Sequence, residues 1–196
     1  MKTLKKFTKE YWEEFKKAVL EVETAEMEKM AEMMWQVYKD GGTIYFMGNG
    51  GSASIASHMA ADIGKNTVTD HTNHKEKRFN TVALTDNVAW MTALANDLGY
   101  ENVFVEQLKN MAPKRKDMVI MVSSSGNSPN VVKAALWAKK RGMKTGAMVG
   151  YKGGKLKEIA DIVVWVPREH YGYVEGLHGD IHHYLVYALQ QLKKQE

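Results

Sequence analysis

Residues 118–128 read Met118-Val119-Ile120-Met121-Val122-Ser123-Ser124-Ser125-Gly126-Asn127-Ser128, and this stretch decides the fold. Five consecutive apolar residues mark a strand buried on both faces, the habit of a parallel sheet. Serines and a glycine follow, and helical spacing of apolar residues begins near Asn130. The unit is strand, loop, helix. A loop in that position offers hydroxyls and unused backbone amides at a helix start, which suits a phosphate monoester. Taken alone, the same residues read as a serine-rich helix cap.

The same arrangement occurs once earlier. The run Thr43 to Met47 is followed by Gly48-Asn49-Gly50-Gly51-Ser52 and then by a helical stretch from Ala53 to Ile63. Glycines let a backbone approach a ligand closely, and the helix start favours an anionic or polyhydroxylated one. Gly48, Gly50 and Ala53 also satisfy the dinucleotide fingerprint, which demands a second buried strand ending in an acidic residue about 20 positions later. The residues in that place, Thr67-Val68-Thr69-Asp70-His71-Thr72-Asn73-His74, are too polar for such a strand. A dinucleotide site is therefore disfavoured, and the absence of GxxxxGK[ST] leaves a nucleotide-triphosphate site without support.

Further outward, short apolar runs alternate with helical ones. Strands are predicted at Thr43–Met47, Thr81–Leu84, Met118–Val122, Thr145–Val149 and Ile162–Val166, and helices at Ala53–Ile63, Val88–Asn96, Asn102–Met111, Asn130–Arg141 and Tyr173–Leu192. This is an α/β pattern: a mostly parallel five-stranded sheet flanked by helices. Ligands of such sheets bind beyond the carboxyl ends of the strands, so the loops after Met47 and Val122 are the candidate site. The polar stretch from Asn66 to Asn80 reads as one loop, in which His71 and His74 are expected to be solvated.

Ahead of the sheet, Leu4, Phe7, Tyr11, Phe15, Val19 and Val22 recur at helical spacing, as do Met27, Met30, Met34 and Val37, and Gly41-Gly42 ends the second helix. Two such helices expose apolar faces unless a neighbour covers them, which predicts a homo-oligomer. The expected organisation is a single domain over residues 1–196, with residues 1–40 a helical oligomerisation segment and 41–196 the ligand-binding core.

Composition narrows the chemistry. The 196 residues are 44% hydrophobic and 26% charged and contain no cysteine, so thiolate metal sites, disulfides and thiol nucleophiles are excluded. The net charge of +4 suits anionic ligands but is too small and dispersed for a nucleic-acid face. No signal peptide and no apolar run long enough for a membrane span is seen, so a cytoplasmic protein is expected.

Together, the glycine loop, Asn96-Asp97 within Ala95–Tyr100, the serine loop with its trailing Asn130–Ala134, and the Glu175–His183 stretch resemble the SIS-domain phosphoheptose isomerases, in the same order and spacing from about Gly41 to Leu192. That resemblance implies a three-layer SIS sandwich and a homotetramer. It also implies conversion of sedoheptulose 7-phosphate to D-glycero-D-manno-heptose 7-phosphate through an enediol. Ser123, Ser124, Ser125 and Ser128 would hold the phosphate; Asn49, Gly50, Gly51, Ser52, Asn96 and Asp97 would line the sugar. The alternatives are a non-catalytic SIS module of the replication-initiator-associating type and an isomerase of another sugar phosphate.

Isomerisation needs a base, and an acid or metal to polarise the carbonyl. His58 and Asp62, four residues apart, share one helix face. The resemblance makes His58 a metal ligand and sets Asp62 where the family has a glutamate base. It sets Glu175 where the family has glutamine, and makes His183 the acid and a ligand. Asp62 and Glu175 thus depart from the pattern, and either is a candidate base. Helical periodicity alone places His182 under Glu175, whereas the family spacing selects His183; His178 and His182 are then expected to pack or to support the ligands from behind. The implied ligand set for a divalent ion, zinc by resemblance, is His58, Asp62, Glu175 and His183.

Overall fold

The computed structural model describes residues 3–196. Along the chain run α1 (Leu4–Leu20), α2 (Thr24–Lys39), β1 (Thr43–Met47), α3 (Gly51–Asn66), β2 (Asn80–Ala83), α4 (Val88–Leu98), a 3-10 turn (Tyr100–Asn102), α5 (Val103–Met111), β3 (Met118–Ser123), α6 (Pro129–Lys140), β4 (Lys144–Val149), α7 (Gly154–Ile159), β5 (Ile162–Trp165) and α8 (Tyr171–Lys194). All five predicted strands form, in one sheet of order β2-β1-β3-β4-β5. Every neighbouring pair is parallel, so the expected mostly parallel sheet is wholly parallel.

Both faces of the sheet are covered. On β1, Ile44 and Phe46 point into one core with residues of α2, α3 and α8, while Tyr45 and Met47 point into a second core with residues of α5 and α6. This period-two partition across two layers of helices gives the three-layer sandwich. α2 belongs to the first core through the buried Met30, Met34 and Val37. α1 contributes little: of its residues only Ala18 is buried, and Leu4, Phe7, Trp12, Val19 and Leu20 are exposed.

The strand order places the functional crevice. β1 and β3 are neighbours in the sheet although β2 follows β1 in sequence, so the connections leaving these two strands diverge and open a gap at their carboxyl ends. The glycine and serine loops lie on either side of it. α3 and α8 both begin at this edge and pack along one another. One helix, α7, was not anticipated; its six residues are too few to display an apolar period.

Candidate active site

The glycine loop is shaped by two unsubstituted positions. Gly50, immediately ahead of α3, has φ 55° and ψ −125°, a conformation that side chains resist. At Gly51 a Cβ would stand 2.8 Å from the Glu175 Cδ and 2.9 Å from its Oε1, so the bare backbone is what admits this carboxylate from α8.

The serine loop turns at Gly126, whose φ is 65° and whose Cβ would sit 2.6 Å from the Gly153 carbonyl carbon. Residues 150–155 brace it from behind: the Gly150 N–H donates to the Ser124 carbonyl at 2.9 Å, and the Lys155 N–H to Asn127 Oδ1 at 3.0 Å. Ser123 and Ser128 hydroxyls lie 3.3 Å apart. Among the described residues nothing accepts from or donates to the buried Ser124 hydroxyl, so its hydrogen-bonding capacity is free for a ligand of this loop.

One cavity of about 220 Å³ joins the two loops, lined by Asn49 and Ser52 from the first, by Ser123, Ser124, Ser125 and Ser128 from the second, and by Tyr151 and Glu175. The walls are also tied directly. Asn49 Nδ2 donates to Asn130 Oδ1 and Asn130 Nδ2 donates to Asn49 Oδ1, both at 2.9 Å. Such a set of hydroxyls and amides can hold a phosphate and a polyol, and Glu175 faces the same space as a carboxylate able to move a proton.

Two expected sugar-lining residues stand elsewhere. Asn96 and Asp97 are exposed on α4, where the Asn96 amide donates to Asp97 Oδ1 at 2.8 Å, and neither lines the cavity. Their segment reaches the glycine loop through Tyr100 instead, whose hydroxyl donates to Asn49 Oδ1 at 3.0 Å. Gly50 and Gly51 act through the backbone rather than as part of the lining. His71 and His74 are exposed in the loop before β2.

The histidines form a second group farther along α3 and α8. His58, His182 and His183 each present a ring nitrogen within 4.8 Å of the others. Asp62 Oδ2 lies among them, 3.2 Å from His58 Nε2, 3.2 Å from His182 Nε2 and 3.8 Å from His183 Nδ1. This corrects two expectations. His182, expected to pack or to support the ligands from behind, stands in the cluster itself beside His183. Glu175, expected to complete the metal set, is outside it; seven residues of helix put it about 10 Å from His182 along the axis.

His182 is fully buried, and neither ring nitrogen has an aligned hydrogen-bond partner. Burial, reinforced by His183 and His58, pushes its imidazole down to about 4, against the pull of Asp62. Neutral nitrogens converging with one carboxylate fit a divalent ion such as zinc. His178, one turn earlier, is also buried and pushed down to about 4 by its surroundings, but stands outside the cluster.

Asn130 and Tyr151 were not singled out from sequence. Asn130 carried a weak signal, a polar residue at the start of an otherwise apolar helix; Tyr151 carried none, because its role depends on a backbone turn.

Comparison with known proteins follows the same lines. The SIS domain family model matches residues 8–150. The phosphoheptose isomerase of Helicobacter pylori (strain P12) is 36% identical over 152 residues, 78% of this chain and 76% of that one. The probable phosphoheptose isomerase of Thermoplasma volcanium is 35% identical over 169 residues, 86% of this chain and 83% of its own. The solved structure of phosphoheptose isomerase from Neisseria gonorrhoeae aligns with a TM-score of 0.87 at 28% identity, over 96% of this chain and 100% of that chain.

Proposed function

This chain belongs to the SIS domain family, and from that premise we propose that it is a sugar-phosphate isomerase that converts sedoheptulose 7-phosphate to D-glycero-D-manno-heptose 7-phosphate. The observation that carries the reading is the single cavity in which the glycine loop, the serine loop and Glu175 face one another. Relatives named phosphoheptose isomerase supply the substrate class.

In this reading the phosphate sits among Ser123, Ser124, Ser125 and Ser128, where hydroxyl and amide donors at the start of α6 meet its oxygens. The open sugar chain lies toward Asn49 and Ser52. Glu175 is the base: its carboxylate takes a proton from C1 of the ketose and returns it to C2, while O2 gains a proton as the enediol forms and O1 gives one up as the aldose carbonyl forms. Glu175 is preferred to Asp62 because it lines the cavity, whereas Asp62 is engaged by three imidazoles.

His58, Asp62, His182 and His183 would hold a divalent ion, zinc being the chemically suited choice. Bound there, it would supply a Lewis acid for an oxygen of the substrate. His183, exposed in the same group, is the proposed proton donor; about 12 Å of helix axis separates it from Glu175, so the reacting carbons would lie between the two side chains.

The exposed apolar residues of α1 support a homo-oligomer, proposed as a tetramer. No helix among the described residues is long and apolar enough to cross a membrane, consistent with the proposed cytoplasmic setting.

The test is direct. Purified protein given sedoheptulose 7-phosphate should form an aldose 7-phosphate, and chelation should stop it until a divalent ion is restored. Binding of the ketose phosphate without any aldose product would overturn the isomerase reading in favour of a phosphosugar-binding module.

A further inference from the structure

Tyr151 is held in a conformation that its residue type disfavours. Its φ is 48°, in the left-handed region where a bulky side chain is a genuine outlier. The surrounding sequence, Gly150-Tyr151-Lys152-Gly153-Gly154, is rich in the residue that would adopt this turn freely. Glycine would serve the backbone better, so an aromatic side chain here calls for a reason of its own.

The backbone of Tyr151 is pinned on both sides. Its N–H donates to the Arg168 carbonyl at 2.9 Å, and its own carbonyl accepts from Trp165 Nε1 at 3.0 Å. Trp165 is in turn covered by the Lys157 ammonium, 3.3 Å from the ring centroid, and Arg168 is paired with Glu21. Surroundings that over-determine a strained residue are a feature of functional positions.

The pinned residue lies on the wall of the active cavity, half-buried, with Ser124, Ser125 and Glu175 among the other lining residues. It also borders a neighbouring cleft lined by Asn127, Lys152 and Glu169. Among the described residues it is the one aromatic that lines the active cavity. The serines and asparagine supply hydrogen bonds and Val122 a small aliphatic surface, whereas an open sugar phosphate presents a chain of C–H groups as well as hydroxyls. A ring face beside the phosphate cradle can seat those carbons, and tyrosine offers it with little side-chain freedom to lose.

We propose that Tyr151 is a substrate-positioning residue, its ring forming the wall against which the carbon chain of a phosphorylated sugar is laid, between the phosphate in the serine loop and the carboxylate of Glu175. This deepens the isomerase reading and rests on it. It makes Tyr151 a residue that recognises the sugar rather than the phosphate.

The experiment compares wild type with Tyr151→Gly and Tyr151→Phe. It measures the binding of inorganic phosphate, and KM and kcat for the pentose, hexose or heptose phosphate that wild type binds best. In Tyr151→Gly, KM for the sugar phosphate should rise about tenfold with a smaller change in kcat. Inorganic phosphate should bind within about twofold of wild type, and the thermal midpoint should not fall, since the backbone strain is relieved. Tyr151→Phe should stay within about threefold of wild type in KM. Should Tyr151→Gly fail to fold, Tyr151→Asn, which tolerates the left-handed region, replaces it.

An unchanged KM in the folded variant, or equal losses for phosphate and sugar phosphate, would overturn the assignment; so would a Phe variant as impaired as the Gly variant. Wild-type protein that binds inorganic phosphate but no sugar phosphate removes the isomerase reading itself, and this assignment with it. A wild type that turns over substrate, with variants that match it, removes only this assignment.

Discussion

Asn49 and Asn130 exchange two side-chain hydrogen bonds of 2.9 Å, one amide donating in each direction. The pair crosses from the glycine loop to the first turn of α6 and so fixes the spacing of the two walls that would grip a ligand. Asn130 is almost wholly buried and also accepts from the Val131 N–H. Replacing it by alanine removes the acceptor of the Asn49 amide N–H and leaves Asn49 Oδ1 with Tyr100 as its donor, which should cost about 1–3 kcal/mol of stability. With the walls uncoupled, KM for the sugar phosphate should rise more than kcat falls. Denaturant unfolding and steady-state kinetics check both; a stable variant with wild-type kinetics would show the pair to be dispensable.

Gly51→Ala should separate activity from stability. The added methyl would meet the far end of Glu175, and a flexible carboxylate can swing away at little energetic expense. Gly51 opens α3, and alanine in place of glycine at a compatible backbone position stabilises by about 0.4–1 kcal/mol through the unfolded chain, so the thermal midpoint should hold or rise. Turnover should nevertheless fall, by roughly 10²–10⁴-fold if Glu175 is the base, and Glu175→Gln should fall as far. Full activity of Glu175→Gln would return the role to Asp62.

What the sequence made legible depended on contiguity. The apolar runs ending at Met47 and Val122 announced β1 and β3, and the loops behind them had to share a crevice once those strands paired. Glu175, His182 and His183 were harder because nine residues look like one site on the page. In a helix they span more than two turns, so Glu175 faces the cavity while the two histidines join His58 and Asp62. Asn96 and Asp97 were assigned by resemblance alone, and α4 carries them on an exposed face. Tyr151 was invisible because a positive φ leaves no mark in a tyrosine.

The regrouped histidines give a prediction about metal. Wild-type protein should bind one divalent ion per chain, measured by elemental analysis after dialysis against zinc. His182→Ala and Asp62→Asn should each weaken binding by at least about 10–100-fold, and Glu175→Gln should leave it within about threefold of wild type. The opposite pattern, with Glu175→Gln stripping the ion and His182→Ala retaining it, would restore the ligand set drawn from sequence.

His178 gives stability a pH dependence whose sign can be worked out. The ordinary value for histidine is 6.5, and burial holds this one at about 4 in the folded protein, opposed by the Val149 backbone. Above about pH 6.5 both states carry a neutral ring and the residue adds no pH dependence. Between 6.5 and 4 the unfolded chain binds a proton that the folded one excludes, so stability falls as the pH falls. At pH 5 the loss attributable to this residue is on the order of 2 kcal/mol. Other titrating groups, His182 among them, act in wild type and variant alike. The comparison is therefore between wild type and His178→Leu, each unfolded in urea at pH 7.5 and pH 5. Wild type should lose about 2 kcal/mol more than the variant over that interval; equal losses would mean that the ring titrates alike in the folded and unfolded states, and a smaller loss in wild type that it is charged in the folded one.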